Sequence, residues 1–140
     1  MIPVTHWLLY TIFSLFLYGF WGLFSKLSTN YIDPKRALVY EVGGAILVSL
    51  LLIWRNDFKW QGDIRGILYA VLVGTSGTLA TLCFFVAISQ ASATIVIPLT
   101  SLYPVITILL AFLILKEPIT LRQGIGILLA IIALLLCLWE

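Results

Sequence analysis

Glu41 is the one ionisable side chain that lies clearly inside an apolar stretch of this sequence. If a helix begins at Pro34, Glu41 lies about 10 Å further along it, because the rise is about 1.5 Å per residue. A carboxylate inside a membrane is costly and usually faces a cavity or a partner. Since apolar surroundings disfavour its charged form, Glu41 is a candidate for proton coupling. Alternatively, it meets headgroup water or pairs with a cation such as Lys26 or Arg36.

Two prolines interrupt the apolar stretch that covers residues 93–115. A proline inside a helix leaves the carbonyl four residues before it without a donor. Pro98 therefore frees one carbonyl, and Pro104 frees another. The polar groups concerned are the freed carbonyls of Thr94 and Thr100 and the hydroxyls of Ser101 and Tyr103. We expect a polar, bendable helix that lines a substrate path; the alternative is a packing kink whose polar groups are satisfied by threonine hydroxyls and a neighbouring helix.

Other side chains could complete such a path. The run "GTSGT" at residues 74–78 places three hydroxyls in the middle of an apolar stretch, those of Thr75, Ser76 and Thr78. Trp21 could stack on an organic substrate or a cation. The alternative is that the aromatic ring faces lipid and that the polar run serves packing. Small residues repeat every fourth position from Gly66 to Thr78, and this spacing predicts a close helix contact.

The sequence offers little for catalysis or metal binding. Cys83 and Cys137 are isolated in apolar runs, so we expect two buried thiols that act as small hydrophobes. His6 has no second metal ligand near it and is predicted to be an interface residue. No nucleophile–base pair, metal cluster or phosphate-binding glycine loop is present. We therefore expect no enzyme activity, no cofactor and no metal, and the small net charge of +2 argues against nucleic acid as a partner.

The elements that must position these residues are membrane helices. Of the 140 residues, 62% are apolar and only 10% are charged, so the solvent for most of the chain must be lipid. About 20 apolar residues span a bilayer as a helix, and β-barrel alternation is missing. The fold is predicted to be all-α and polytopic, a single domain over residues 1–140 with five spans at about 7–25, 37–54, 64–88, 93–115 and 121–139.

Local signals mark the joints between the spans. Asp33 before Pro34 is typical of an N-cap followed by proline at the first helical position. The run "TLRQ" at 120–123 fits a capping box, and Pro118 ends the fourth span after the corner residue Glu117, which we expect to be solvated. Tryptophans lie at span ends, as interfacial belts require, at Trp7, Trp54, Trp60 and Trp139.

The distribution of basic residues predicts an orientation. The side that holds the N-terminus has five, which are Arg55, Lys59, Arg65, Lys116 and Arg122. The other side has three, which are Lys26, Lys35 and Arg36. The positive-inside rule then favours a cytoplasmic N-terminus. The composition is consistent with a bacterial or archaeal inner membrane, although a eukaryotic membrane is also compatible.

The second half of the sequence resembles a known transporter repeat. Its motifs are Ala87-Ile88, Ala91-Ser92, Leu102-Tyr103-Pro104-Val105, Leu115-Lys116-Glu117-Pro118, and the glycines Gly124 and Gly126. In this order they resemble the EamA repeat of the drug/metabolite transporter superfamily. The resemblance is strong over residues 84–130 and looser before them, but all five spans match in order.

The resemblance implies a function and a partner. Members of the family usually carry two such repeats in opposite orientations, ten spans in all, and transport small organic molecules. This chain has one repeat, so the resemblance implies a homodimer or a paired homologous subunit. The family often has an arginine near the position of Glu41, and the reversed charge here puts the substrate preferences of ordinary members in doubt.

Three functions are compatible with these observations. The first is a transporter of a small organic solute that works by alternating access, with Glu41 for proton coupling. The second is a flippase-like carrier of a lipid-linked or amphipathic substrate, which predicts a cavity open to lipid. The third is a membrane scaffold or subunit that does not transport, in which Glu41 and the hydroxyls of span four could be removed without loss.

Overall fold

The computed structural model describes residues 4–55 and 62–138, with side-chain surroundings for residues 7–55 and 62–136. Every regular element in these ranges is helical. The elements are α1 (Val4–Tyr31), α2 (Pro34–Arg55), α3 (Ile64–Gln90), α4 (Ala93–Thr100), α5 (Tyr103–Leu110), a π-helical turn (Ala111–Leu115) and α6 (Leu121–Leu138). The all-α prediction is therefore confirmed.

Four helical stretches are long and apolar enough to cross a membrane. They are Trp7–Tyr31, Pro34–Arg55, Ile64–Gln90 and Ala93–Leu115, and a shorter apolar helix covers Leu121–Leu136. Each of the five predicted spans therefore lies on an apolar helical stretch. The first helix extends six residues beyond the predicted end at residue 25, and in this extension the hydroxyls of Ser28 and Thr29 bond to the Ser25 carbonyl of the same helix.

The contacts between Cα atoms divide the chain into two compact units. The first covers residues 1–90 and the second covers residues 91–140. In the first unit, α1, α2 and α3 pack pairwise against one another. In the second, α6 packs against α4, and α5 runs directly into the π-helical turn.

Side-chain caps begin three of the helices. The Asp33 carboxylate accepts a hydrogen bond from the backbone N–H of Lys35 at 2.9 Å, as the sequence predicts for a cap followed by Pro34. Asp63 does the same for Arg65 at 2.8 Å, a cap that the sequence analysis missed. Thr120 and Gln123 form the predicted capping box. The Gln123 side-chain oxygen accepts from the Thr120 N–H at 2.8 Å, and the Thr120 hydroxyl accepts from the Gln123 N–H at 3.4 Å.

The fourth predicted span contains a break. We expect one bendable helix over residues 93–115, but α4 ends at Thr100 and a new helix begins at Tyr103. Pro104 lies in the first turn of α5, where its missing N–H costs nothing. The regular hydrogen bonds between residues four apart cannot continue through Pro104. Two bonds between residues three apart replace them: Leu102 N–H to the Leu99 carbonyl at 3.3 Å and Val105 N–H to the Leu102 carbonyl at 3.0 Å.

The corner after the π-helical turn is sharp. Lys116 has a left-handed backbone conformation with φ of 55°, and the Glu117 N–H bonds to the Ala111 carbonyl at 3.4 Å. This pattern closes the end of a helix, and Pro118 prevents its continuation. Glu117 is exposed, as expected for a corner residue.

Two packing predictions for α3 are wrong. A Cβ atom built on Gly66, Gly74 or Gly77 would meet nothing within 4 Å, so the small residues of α3 make no close helix contact in the described chain. Cys83 is exposed rather than buried. Both errors have one cause: α3 buries its C-terminal aromatic segment, Phe84 and Phe85, and leaves the middle of the helix open.

Some predicted features lie outside the described residues. They are Lys59, Trp60 and Trp139, together with the side chains of His6 and Cys137.

Candidate functional site

The first unit joins two of the predicted site residues directly. The indole N–H of Trp21 on α1 donates a hydrogen bond to Oε1 of Glu41 on α2, with an N···O distance of 3.0 Å. Both side chains are half-buried. A carboxylate held away from water needs a donor of this kind, because an unpaired charge in an apolar environment is strongly disfavoured.

Phe84 and Phe85 of α3 stack against the indole ring of Trp21. The ring centroids of Trp21 and Phe84 are 4.9 Å apart with an interplanar angle of 26°, and those of Trp21 and Phe85 are 6.4 Å apart at 23°. Both phenylalanines are buried. Offset stacking at these distances is favourable. One indole thus contacts α3 through its ring and α2 through its N–H.

Next to Trp21, one polar contact lies within α1 and another joins α1 to α3. The Ser25 hydroxyl, which is only 4% exposed, donates to the Trp21 carbonyl at 2.7 Å. The Lys26 ammonium donates to the carbonyl of Ile88 at 2.7 Å, two residues before the end of α3. A cation at the C-terminus of a helix is favourable, because the last carbonyls have no donor in the helix and carry partial negative charge. Lys26 therefore binds the C-terminal end of α3.

Most hydroxyls of the predicted substrate path bond to their own helices. Thr75 and Ser76 donate to the Leu72 carbonyl at 3.1 and 2.6 Å, and Thr78 donates to the Gly74 carbonyl at 2.8 Å. All three are exposed. They share the first unit with Trp21 and Glu41 but are not in hydrogen-bond contact with either.

The hydroxyls near the break behave similarly. Thr100 donates to the Val96 carbonyl at 2.7 Å, Ser101 donates to the Ile97 carbonyl at 2.8 Å, and the Thr94 hydroxyl pairs with that of Ser92 at 2.9 Å. Pro98 stays inside α4, where it is half-buried, and the Tyr103 side chain is exposed. That the carbonyls of Thr94 and Thr100 line a substrate path remains a prediction.

The second unit contains a cleft of about 470 Å³. Two of the predicted path residues, Ser101 and Pro104, lie at one end of it. Glu117 and Gln123 supply further polar groups to its lining, and most of the remaining lining is apolar. This volume lies within the range of about 300–1,000 Å³ that is typical of small-molecule sites.

The sequence analysis named the polar residues of the candidate site but missed the residues that pack around them. It named Trp21 and Glu41 separately and did not connect them to Phe84, Phe85 or Ser25. The adjacent phenylalanines in "CFFVAI" were the available signal, because paired aromatic residues near the end of a span predict a packing contact. Their partner could not be read from spacing, since it lies on another helix.

A family model matches almost the whole chain. The EamA-like transporter family matches residues 5–139. The chain belongs to this family. It is therefore an integral membrane protein and a transporter of the drug/metabolite type, rather than an enzyme, and the resemblance drawn from its motifs is confirmed.

A relative of the EamA-like chain comes from an archaeon. An uncharacterized protein of Methanocaldococcus jannaschii is 32% identical over 119 residues, which cover 85% of this chain and 86% of the relative. No solved structure matches the chain.

Proposed function

We propose that the protein moves a small organic solute by alternating access and couples this movement to protons through Glu41. The observation that carries the proposal is the hydrogen bond from the Trp21 indole to a half-buried glutamate in the first half of a membrane helix. Carboxylates in such positions commonly take part in proton relays. Membership of a transporter family supplies the class of reaction.

The site needs a second half, and we propose that another chain provides it. Transporter folds of this kind place the substrate site at the interface of two repeats. Large apolar side chains of α1, α2 and α3 are exposed along most of each helix. This surface is suited to lipid and to a second copy or a homologous subunit. We further propose a cytoplasmic N-terminus in a bacterial or archaeal inner membrane, on the basis of the basic residues counted above.

Substrate-evoked proton currents test the proposal. The purified protein is reconstituted in liposomes and exposed to a panel of metabolites and organic cations. We expect currents in the wild type that fall at least about tenfold in Glu41→Gln, because the amide cannot carry a proton. The matched control is Glu117→Gln, which removes the same charge at the exposed corner. Equal currents in wild type and Glu41→Gln would refute the role of Glu41.

The cleft of the second unit favours a second candidate function. Its apolar lining between two polar ends is suited to an amphipathic molecule, which is the substrate expected of a flippase-like carrier. Vesicles that contain a fluorescent short-chain lipid would report its transfer between leaflets.

Gly126→Leu should slow this transfer, because Gly126 lines the cleft. Gly124→Leu adds the same volume outside the lining and serves as the control. If the wild type and both variants transfer the lipid no faster than protein-free vesicles do, the protein is not a flippase for that lipid. If Glu41→Gln and Gly126→Leu are both without effect in every assay, a scaffold becomes the better description.

A further inference from the structure

The Trp21–Glu41 contact makes the two oxygens of the carboxylate unequal. The indole N–H reaches Oε1 at 3.0 Å, and this is the one hydrogen bond recorded for the Glu41 side chain among residues 7–55 and 62–136. Oε2 makes no recorded hydrogen bond in these ranges. An indole N–H is a donor only, and in a protonated carboxyl the carbonyl oxygen is a better acceptor than the hydroxyl oxygen, so the contact favours a proton on Oε2.

The indole itself is held too firmly to follow the carboxylate. Its ring stacks on Phe84 with centroids 4.9 Å apart, and Phe84 is 7% exposed. Its backbone carbonyl accepts the bond from the buried Ser25 hydroxyl. The bond between Lys26 and the Ile88 carbonyl fixes the same part of α1 against α3. The direction of the N–H is thus set by α1 and α3, whereas the acceptor belongs to α2.

We infer that Trp21 is a positioning residue for the proposed proton site: its N–H fixes Oε1 of Glu41 and so directs proton uptake to Oε2. The inference deepens the proposed function and rests on it. It gives Trp21 a role through its N–H, in addition to the stacking on a substrate that the sequence suggests. Because one ring face already meets Phe84, the N–H is the part of Trp21 that reaches the site most directly.

Other charges on the three helices are exposed to the surroundings or already engaged. Lys26 is half-buried and bonds to Ile88, whereas the remaining cations on these helices are exposed, namely Lys35, Arg36, Arg55 and Arg65. The tyrosines and the cysteine are exposed as well, namely Tyr10, Tyr18, Tyr31, Tyr40, Tyr69 and Cys83. A Lys26→Met variant measures how much the nearest half-buried cation contributes.

Infrared titration of the full-length protein in lipid tests the inference without a substrate. The carbonyl band of protonated Glu41 is assigned by its loss in Glu41→Gln. Trp21→Phe keeps an aromatic ring against Phe84 but removes the N–H. The indole N–H bonds to Oε1, which remains the carbonyl oxygen when the proton is on Oε2. We therefore expect the carbonyl band of protonated Glu41 to move to higher wavenumber in Trp21→Phe, where that hydrogen bond is lost. Phe84→Leu weakens the stacking but keeps the N–H, and we expect a much smaller displacement.

Two results would overturn the inference. One is an unchanged position of the carbonyl band in Trp21→Phe, and the other is an equal displacement of the band in Phe84→Leu, which would assign the effect to packing. If Trp21→Phe does not fold, the wild type labelled with ¹⁵N-tryptophan gives the answer. The indole N–H signal of Trp21 should then titrate with the Glu41 band, and a signal that does not move with this band refutes the inference.

Failure of the proposed function would look different. Proton currents that persist in Glu41→Gln would refute proton coupling whatever the titration shows. Conversely, an unchanged position of the carbonyl band in Trp21→Phe would refute the role of Trp21 even if transport depends on Glu41.

Discussion

Glu41 and its neighbours place a polar group inside an apolar helix bundle with few contacts. Among the described residues a single donor reaches the carboxylate, and its indole ring stacks on two buried phenylalanines. Arrangements of this kind keep a carboxylate in one orientation while leaving it able to change its protonation state. The aromatic support is therefore as important for the site as the acid.

Phe84 should be the most sensitive packing residue of the first unit. We expect Phe84→Ala to lower the free energy of unfolding by about 2 kcal/mol, because the cavity is not filled by its neighbours. The loss is smaller than in a water-soluble core, since lipid is as apolar as the protein interior. Unfolding in mixed micelles with increasing denaturing detergent gives the value. Cys83→Ala, at the adjacent exposed position, should be near neutral, and an equal loss in both variants would contradict this account.

Lys26 should contribute through its charge rather than its stem. Lys26→Met keeps most of the aliphatic chain but leaves the Ile88 carbonyl without this donor. We expect a loss of about 1–2 kcal/mol in the free energy of unfolding. Lys35→Met removes an exposed cation of the same membrane side and is the control, with an expected change below about 0.5 kcal/mol. The two variants are compared in the same unfolding titration.

At the scale of the elements, the helix starts follow local rules that operate within four residues. The cap at Asp33 and the capping box at Thr120 could be read from sequence for this reason. The break after Thr100 could not, although both prolines were visible. A proline permits a kink, a break or a fresh start, and the choice depends on what the rest of the helix packs against.

Asp63 offers a clean test of the capping rule. Asp63→Ala should cost about 1 kcal/mol, because the Arg65 N–H loses its acceptor at the start of α3. Asp63→Ser retains a capping oxygen and should recover most of this loss. Thermal unfolding of the two variants in one detergent measures the difference. If both variants unfold with the wild type, the cap makes no contribution to stability.

At the scale of the whole molecule, the polar centre of the site was more predictable than its packing. Glu41 is conspicuous because a carboxylate rarely occurs in an apolar helix, and Trp21 is conspicuous because of its size. The contact between them joins residues twenty positions apart on different helices, and no local pattern encodes it. The glycines of α3 show the opposite error, since their spacing suggests a partner that the described chain does not supply.

The open glycine face of α3 leads to a prediction about the isolated chain. Gly74→Ala should leave the thermal midpoint in dilute detergent unchanged or raised, because nothing lies within 4 Å of the new methyl group and alanine favours helix by about 1 kcal/mol. Gly22→Ala, at a buried position of α1, should lower the midpoint. A lower midpoint for Gly74→Ala that appears only at high protein concentration would place a second chain against this face.

The position of Trp21 also makes its fluorescence a potential probe of the candidate site. Among the tryptophans whose side chains are described, Trp7 and Trp54 are 55% and 83% exposed, whereas Trp21 is half-buried, stacked and hydrogen-bonded to a carboxylate. Indole emission is sensitive to a charge at its nitrogen. In a variant with the other tryptophans replaced by phenylalanine, we expect the emission of Trp21 to change when Glu41 gains or loses a proton. Under the proposed function, this change would report each transport cycle optically.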